Sequence, residues 1–379
     1  MAILDPFHAQ LDALDRRARR RRLMPRAGHD FASNDYLGLA HDPAIAEAVA
    51  QAIARGVPVG SGGSRLLRGN APEHEALEAR ATEIFGSEAA LFLANGFAAN
   101  LALLAGLPGP GDLIVADALI HASAHDGMKL SRARSVLALH NDAQAVDDAI
   151  STWRQEGGAG RVWIVAETLY SMDGDRAPID ELAQVAARHE AMLILDEAHA
   201  TAAHGPGGRG LAAHLEGAPN LIALHTCGKG LGVEGALVTA AGPVIDLLIN
   251  RGRSFVFSTA PSPLMAVAAQ AALERSLAGD DLRTRLAELI DHAAQHLCAP
   301  LGLAAPASQI LPVVLHDDAR TMQVAGLLQE AGFDVRGIRP PTVPRGTARL
   351  RVSLTLNVDE ATIGALADAL RDALARVPA

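Results

Sequence analysis

Cysteine is almost missing from this chain of 379 residues: Cys227 and Cys298 are its only two. They are too few, and too far apart in sequence, for a disulfide framework or a four-ligand zinc site, and such sparse use points to a reducing cytoplasm. Aromatic residues make up only 3%, so stacked rings cannot build the core; Leu, Val, Ile and the abundant Ala must, and the alanine favours helix. Long apolar runs are lacking as well. Stretches such as Gly235 to Ala241 fall far short of the ~20 residues that span a bilayer. The N-terminus carries Asp5, Asp12 and Asp15 where a signal peptide would have an apolar segment. A soluble protein with no membrane partner is expected. Positive charge is in deficit too, with a formal net charge of −10, which disfavours non-specific attraction to nucleic acid or anionic lipid. The local exception is the run from Arg16 to Arg22, broken only by Ala18, on a stretch whose Leu11 and Leu14 suggest a helix. Most of these arginines read as a solvated face; one or two could hold an anionic substrate, since guanidinium forks fit carboxylates and phosphates.

What is present describes an ordinary folded protein, with 49% hydrophobic and 20% charged residues. Its length exceeds what one hydrophobic core usually serves, so two domains are expected. Short apolar runs alternate with amphipathic stretches at Ala89–Ala94, Leu113–Asp117, Ser135–His140, Arg161–Glu167, Met192–Asp196, Leu221–Thr226, Gly235–Ala240 and Ser254–Thr259. Strands alternating with helices predict an α/β domain with a doubly wound, mostly parallel sheet. Ligands in such sheets lie beyond the carboxyl ends of the strands, where Asp117, Glu167, Asp196, Thr226 and Thr259 stand. After Pro261 a long helical region to about Leu301 is followed by a strand near Ile310–Leu315, a helix near Ala319–Ala331, strands near Phe333–Ile338 and Ala348–Leu354, and a last helix. That mixture predicts a smaller α+β domain. The expected division is an N-terminal segment over 1–40, a large domain over 41–265 and a small one over 266–379.

The chemistry-bearing residues cluster at the ends of these runs. Met192-Leu-Ile-Leu-Asp196-Glu-Ala-His199 delivers a carboxylate and then an imidazole at a buried strand end, and a buried carboxylate must be paired. A metal site of Asp196, His199 and His204 is the competing reading, although further ligands are not apparent nearby. Thr226-Cys-Gly-Lys229-Gly-Leu-Gly sets a lysine among glycines, which let a bulky ligand approach the backbone; a surface lysine is the bland alternative. A Walker-type phosphate loop is excluded by the glycine spacing and the missing Ser or Thr after Lys229. Together the two pieces match the needs of pyridoxal 5'-phosphate: a lysine to form the imine, and an acid to keep the pyridine nitrogen protonated. Asn95-Gly96-Phe97 opens a helix after the first apolar run, so its amides can hold the phosphate. Thr226, Ser258 and Thr259 add hydroxyls, and His121 is suited to stack on a flat ring, although a lone histidine is more often structural.

In order along the chain, Ser33-Asn-Asp-Tyr-Leu-Gly-Leu39, Gly60-Ser-Gly-Gly-Ser-Arg-Leu-Leu-Arg-Gly-Asn70, Asn95-Gly-Phe-Ala-Ala-Asn100, His121-Ala-Ser123, Glu167 with Ser171-Met-Asp-Gly-Asp175, Asp196-Glu-Ala-His199, Thr226-Cys-Gly-Lys229 and Pro340-Pro-Thr-Val-Pro-Arg-Gly-Thr-Ala-Arg-Leu-Arg351 resemble the motifs of the α-oxoamine synthases, a family of fold-type-I pyridoxal-phosphate enzymes. The resemblance covers nearly the whole chain and implies an aspartate aminotransferase-like fold. It implies Lys229 as the cofactor's Schiff-base partner and acid/base, Asp196 on the pyridine nitrogen and His121 stacked on the ring. Ser171 and His199 would contact the ring or its phenolic oxygen, with Gly96, Phe97 and Thr226 at the cofactor and its phosphate. Ser258 and Thr259 resemble residues that reach the neighbouring subunit's phosphate, which implies an obligate homodimer. Asn34 and Arg351 would hold the amino-acid carboxylate, with Arg21 and Thr342 towards the acyl substrate. The implied reaction is the condensation of L-alanine with a pimeloyl thioester, on acyl carrier protein or coenzyme A, to 8-amino-7-oxononanoate and carbon dioxide for biotin synthesis. A sibling using glycine and another thioester is the nearest rival. A cofactor-binding regulator without turnover is a more distant one.

Overall fold

A computed structural model of the chain describes residues 3–378. The backbone divides into two compact units: a larger one of Leu37–Ser171 with Asp175–Arg283, and a smaller one of Met1–Tyr36, Met172–Gly174 and Thr284–Ala379. In chain order, α1 (Asp5–Arg16) and the two-residue strand β1 (His29–Asp30) precede α2 (Pro43–Ala54) and α3 (Pro72–Phe85). Then come β2 (Ala89–Leu93), α4 (Gly96–Gly106), β3 (Leu113–Asp117), α5 (Ala122–Leu130), β4 (Arg134–Ala138), α6 (Ala143–Gln155), β5 (Val162–Glu167), α7 (Ile179–Arg188), β6 (Met192–Asp196), β7 (Leu221–Thr226), β8 (Ala236–Ala240), α8 (Gly242–Arg251), α9 (Arg253–Val256) and α10 (Pro263–Leu277). The remaining elements are α11 (Asp280–Ala293), β9 (Ile310–His316), α12 (Asp318–Glu330), β10 (Phe333–Asp334), β11 (Arg336–Ile338), β12 (Ala348–Ser353) and α13 (Glu360–Arg376).

The larger unit is built on a seven-stranded sheet of order β2-β8-β7-β6-β5-β3-β4. Only β8 runs against its neighbours; the other pairings are parallel. Strands β3, β5 and β7 are buried at every residue, as expected when helices cover both faces. Ile114, Val165, Ile194 and Leu224 pack on one face with Ala124 and Met128 of α5. Leu113, Ile164, Leu193 and Leu195 pack on the other with Ile150 of α6 and Leu182 of α7. The chain leaves β3 for one face and β5 for the other although the two strands are neighbours, so a topological switch point lies between them, where a crevice opens at the strand ends.

Ser254–Thr259 is not a strand. Arg253–Val256 forms the short helix α9, with Phe255 buried, Phe257 exposed and Ser254 Oγ donating to Ala98 O at 2.6 Å. A four-residue apolar pattern fits one turn of helix as well as a strand, and packing on α4 decides it. The division between units falls within α11, after Arg283, rather than at residue 265. The reason is that α10 packs on α2 and α3 and is tied to them by Arg275–Asp42 at 3.2 Å and Arg80–Glu274 at 2.5 Å.

In the smaller unit β11, β12 and β9 form an antiparallel sheet, and β1 pairs with β10 in parallel. Its core joins Leu311, Val313, Leu350 and Val352 to Leu289 of α11, Leu328 of α12 and Leu366 and Leu370 of α13. The arginine run is not helical beyond Arg16: α1 ends there, and Ala18 turns into the left-handed region at φ 52°. Among the described residues no helix is long and apolar enough to cross a membrane.

Candidate active site

The apolar run of β6 carries Asp196 to the carboxyl end of the sheet, where it is buried. Its Oδ2 accepts from Asn100 Nδ2 at 2.9 Å and its Oδ1 from the Ala198 amide at 3.0 Å, which meets the requirement that a buried carboxylate be hydrogen-bonded. Asn100 lies on α4 and also donates to Ser123 Oγ at 3.0 Å. Ser123 in turn meets His121 Nδ1 twice, through its hydroxyl at 2.7 Å and its amide at 3.2 Å. With two donors on Nδ1, the neutral imidazole keeps its own proton on Nε2. Desolvation by its neighbours and the charge of Lys229 hold His121 below the usual histidine range, partly offset by Asp196. Asp196 and His121 are thus joined through Asn100 and Ser123, two residues to which sequence reasoning gave no separate role.

Lys229 follows β7 and is half-buried, with Nζ 2.7 Å from His199 Nε2. Glu167 ends β5 directly beside Asp196 in the sheet register. Burial and the neighbouring Asp196 charge push it up to about 8, against the pull of Lys229 and of the Ser171 and His121 amides. Its Oε1 has no hydrogen-bond partner among the described residues. Burial beside a second carboxylate thus favours the protonated form of Glu167 at the end of β5. The sequence marked it as a strand-end residue but could not indicate its protonation, which follows from burial beside a second carboxylate.

Glu197, also buried, accepts from Thr168 Oγ1 at 2.6 Å, Ala212 N at 2.6 Å and Leu211 N at 3.1 Å. It ties the turns after β5 and before β7 to the end of β6. At the start of α4, Asn95 Oδ1 caps the Ala98 amide at 2.8 Å, leaving Gly96 and Phe97 amides with no intrahelical acceptor. Gly96 lies so close to β7 that a Cβ would stand 2.4 Å from Thr226 Cγ2. The two amides form the kind of helix N-terminus that can hold an anion, while Thr226 turns its methyl to Gly96 and its hydroxyl to Ala198 O at 3.5 Å.

Ser258 and Thr259 stand apart from this network. The Ser258 hydroxyl turns to the Thr259 carbonyl at 3.4 Å, and the following residues are held by Gly63 O on Ala260 N at 2.9 Å. Within the smaller unit, Arg351 donates to Ser353 Oγ at 2.8 Å and to Tyr36 Oη at 3.4 Å, and Tyr36 Oη donates to Asn34 Oδ1 at 3.1 Å. Asn34 and Arg351 are thereby brought together through Tyr36. Arg21 Nη2 donates to Thr342 Oγ1 at 2.9 Å, while Arg19 pairs with Asp318 and Arg20 with Asp15. Among the described residues, no group of three or more His, Cys, Asp or Glu side chains is arranged to hold a metal ion, which leaves the Asp196–His199–His204 reading without a site.

Comparison with known proteins agrees with this geometry. The model of the family Aminotransferase class I and II matches residues 28–370. An 8-amino-7-oxononanoate synthase from Anaeromyxobacter dehalogenans strain 2CP-1 is 43% identical, with 99% of this chain and 97% of that protein covered. Among solved structures, a serine palmitoyltransferase from S. paucimobilis with a PLP–myriocin aldimine bound is 25% identical and superposes with a TM-score of 0.89 over 99% of this chain and 98% of that one. The 8-amino-7-oxononanoate synthase of Francisella tularensis is 27% identical, with a TM-score of 0.77 over 92% and 98% of the two chains. With a family model matching residues 28–370 and 43% identity over 99% of the chain, the chain belongs to the aminotransferase class I and II family and, within it, to the 8-amino-7-oxononanoate synthases.

Proposed function

We propose that the chain condenses L-alanine with a pimeloyl thioester, releasing carbon dioxide and the free carrier thiol and forming 8-amino-7-oxononanoate for biotin synthesis, with pyridoxal 5'-phosphate as cofactor. The observation that carries this reading is the joint arrangement of Lys229 on His199 and of buried Asp196 on Asn100 at adjacent strand ends, in a chain 43% identical to a relative of that activity. When bound, the cofactor supplies an electron sink for charge developing at the amino-acid α-carbon. Lys229 would hold it through its amine, Asp196 would face its ring nitrogen, and His121, Ser171 and His199 would contact the ring. Gly96, Phe97 and Thr226 would take its phosphate.

The residues then divide the work. Lys229 Nζ removes the α-proton of alanine and returns a proton later, with His199 Nε2 orienting the amine between transfers. Asp196, fixed by Asn100 and by its own turn, keeps a negative charge where a ring cation must persist. Arg351, steadied by Ser353 and Tyr36, takes the alanine carboxylate as a guanidinium fork, with Asn34 beside it. Arg21 and Thr342 face the acyl substrate. We further propose a cytoplasmic homodimer in which Ser258 and Thr259 serve the partner's phosphate. Supporting it, α1 buries none of its residues, and Phe257 is 73% exposed and Leu67 84%, apolar side chains that a partner subunit would cover.

Absorption spectra of the purified protein with and without L-alanine, followed by pimeloyl thioester, test the reading. A yellow protein whose spectrum responds to alanine and then turns over is expected, with Lys229→Ala losing both borohydride labelling at that position and turnover. A Lys229→Ala protein condensing at the wild-type rate would refute it.

A further inference from the structure

The bridge Asp117–His140–Asp175 lies outside every role assigned above. His140 follows the edge strand β4, and both its ring nitrogens are engaged, Nδ1 at 2.9 Å from Asp117 Oδ1 and Nε2 at 2.8 Å from Asp175 Oδ2. One imidazole can donate to two carboxylates only when both nitrogens carry hydrogen, so the bridge is complete in the imidazolium form. The groups facing the ring are Asp117 from the end of β3, Asp175 from the turn after β5, and the Tyr170 ring, met edge-on at 4.5 Å and 86°. Desolvation pulls His140 down, but the hydrogen bonds and charges of Asp117 and Asp175 outweigh it and raise its pKa above the ordinary value.

Each carboxylate anchors a different turn. Asp117 accepts from the Leu119 amide at 2.7 Å, in the turn leading to His121, and from the Asn141 amide at 2.8 Å. Asp175 accepts from Asn141 Nδ2 at 2.6 Å. It closes the turn that carries Ser171, in which Tyr170 N donates to Asp175 O at 2.9 Å and Ala177 N to Thr168 O at 3.2 Å. We propose that His140 is a positioning residue: charged, it locks the His121 turn to the Ser171 turn through both carboxylates, and on losing its proton it keeps only one of the two hydrogen bonds, so that the lock between the turns opens. The functional meaning of those turns rests on the cofactor reading above, whereas the bridge does not. Because the folded pKa is raised, this contribution is present below pH 6.5 and is lost as pH rises through the folded value.

Proton NMR of the histidine ring protons in the full-length protein, with His140 assigned by its loss in His140→Asn, reads the bridge directly. Its pKa is expected above that of an ordinary histidine, and lower again in Asp175→Asn, a near-isosteric variant that serves if His140→Asn folds poorly. In the holoenzyme, kcat is expected to fall along an alkaline limb at that pKa. His140→Asn lowers kcat roughly ten- to a hundredfold, the cost of mispositioned groups, and removes the limb; Asp175→Asn moves the limb to lower pH. Amide exchange of residues 117–121 and 168–175 should quicken together in His140→Asn. A His140 that titrates at or below the ordinary value, or an alkaline limb unchanged in both variants, overturns the proposal. A protein that fails to condense alanine yet shows the raised pKa and joint exchange would refute the function and leave the bridge standing.

Discussion

Alanine at position 96 measures how tightly the cofactor end of α4 is seated on β7. The new Cβ would lie 2.4 Å from Thr226 Cγ2, roughly 1 Å or more inside an ordinary carbon contact of ~3.5–4.0 Å. Thr226 is buried at a strand end, and its β-branched side chain is stiff at χ1, so the strain passes to the backbone. Overpacking of this kind costs about 1–3 kcal/mol, and the gain from replacing glycine in a helix returns only about 0.5–1 kcal/mol. A net loss of up to about 2.5 kcal/mol remains. Thr226→Ser deletes the offending methyl and keeps the hydroxyl, so Gly96→Ala/Thr226→Ser should recover most of the loss. Urea denaturation of the four members of this cycle, with cofactor affinity followed by absorbance titration, supplies the coupling energy. Strict additivity of the two substitutions, or a Gly96→Ala protein as stable and as avid as wild type, would show that the contact is not as close as described.

Two further substitutions probe separate parts of the chain. Arg351→Ala should raise KM for alanine and lower kcat/KM by about tenfold or more, as loss of a charged hydrogen bond worth ~1.5–3 kcal/mol predicts, while KM for the thioester changes little; steady-state kinetics with each substrate varied gives the split. His225 is stacked on Phe85 at 3.8 Å with Nδ1 3.0 Å from Thr201 Oγ1, and burial holds it at about 3 against an ordinary 6.5. Between those values the folded chain binds fewer protons than the unfolded one, so stability falls as pH drops from 6.5 towards 3. His225→Asn removes that proton site, and urea midpoints measured down the acid range should decline less steeply than in wild type.

Much of the fold was legible because its determinants are local. Buried strands inside the sheet read as continuous apolar runs, and β3, β5, β6, β7 and β8 appear within a residue or so of where those runs stand. Ser254–Thr259 failed because its apolar residues are too few to fix a period, and the contact of Ser254 with α4 is invisible in sequence. The domain boundary failed for a related reason. Helices α10 and α11 form one helical region in the sequence, while the surface that claims α10 is made by α2 and α3, some two hundred residues earlier.

The site divides in the same way, between what a residue is and what its neighbours make of it. Lys229 and Asp196 stand out as candidates in the sequence because a lysine among glycines and a carboxylate closing an apolar run are unusual in themselves. Asn100, Glu167 and His140 are ordinary residues whose properties arise from pairing across the sheet. Glu167 has its pKa raised by burial first, and then by Asp196, which the register sets beside it. His140 has its pKa raised because strand order sets β3 between β4 and β5, so the edge strand's terminal turn meets Asp117 on one side and Asp175 of the turn after β5 on the other. Both shifts favour the protonated form, which is neutral for Glu167 and charged for His140. Because the two groups have separate partners, Asp117 and Asp175 for His140 and Asp196 for Glu167, Glu167→Gln should leave the His140 titration, read by proton NMR, near its wild-type position, and a shift as large as that in Asp175→Asn would refute the separation.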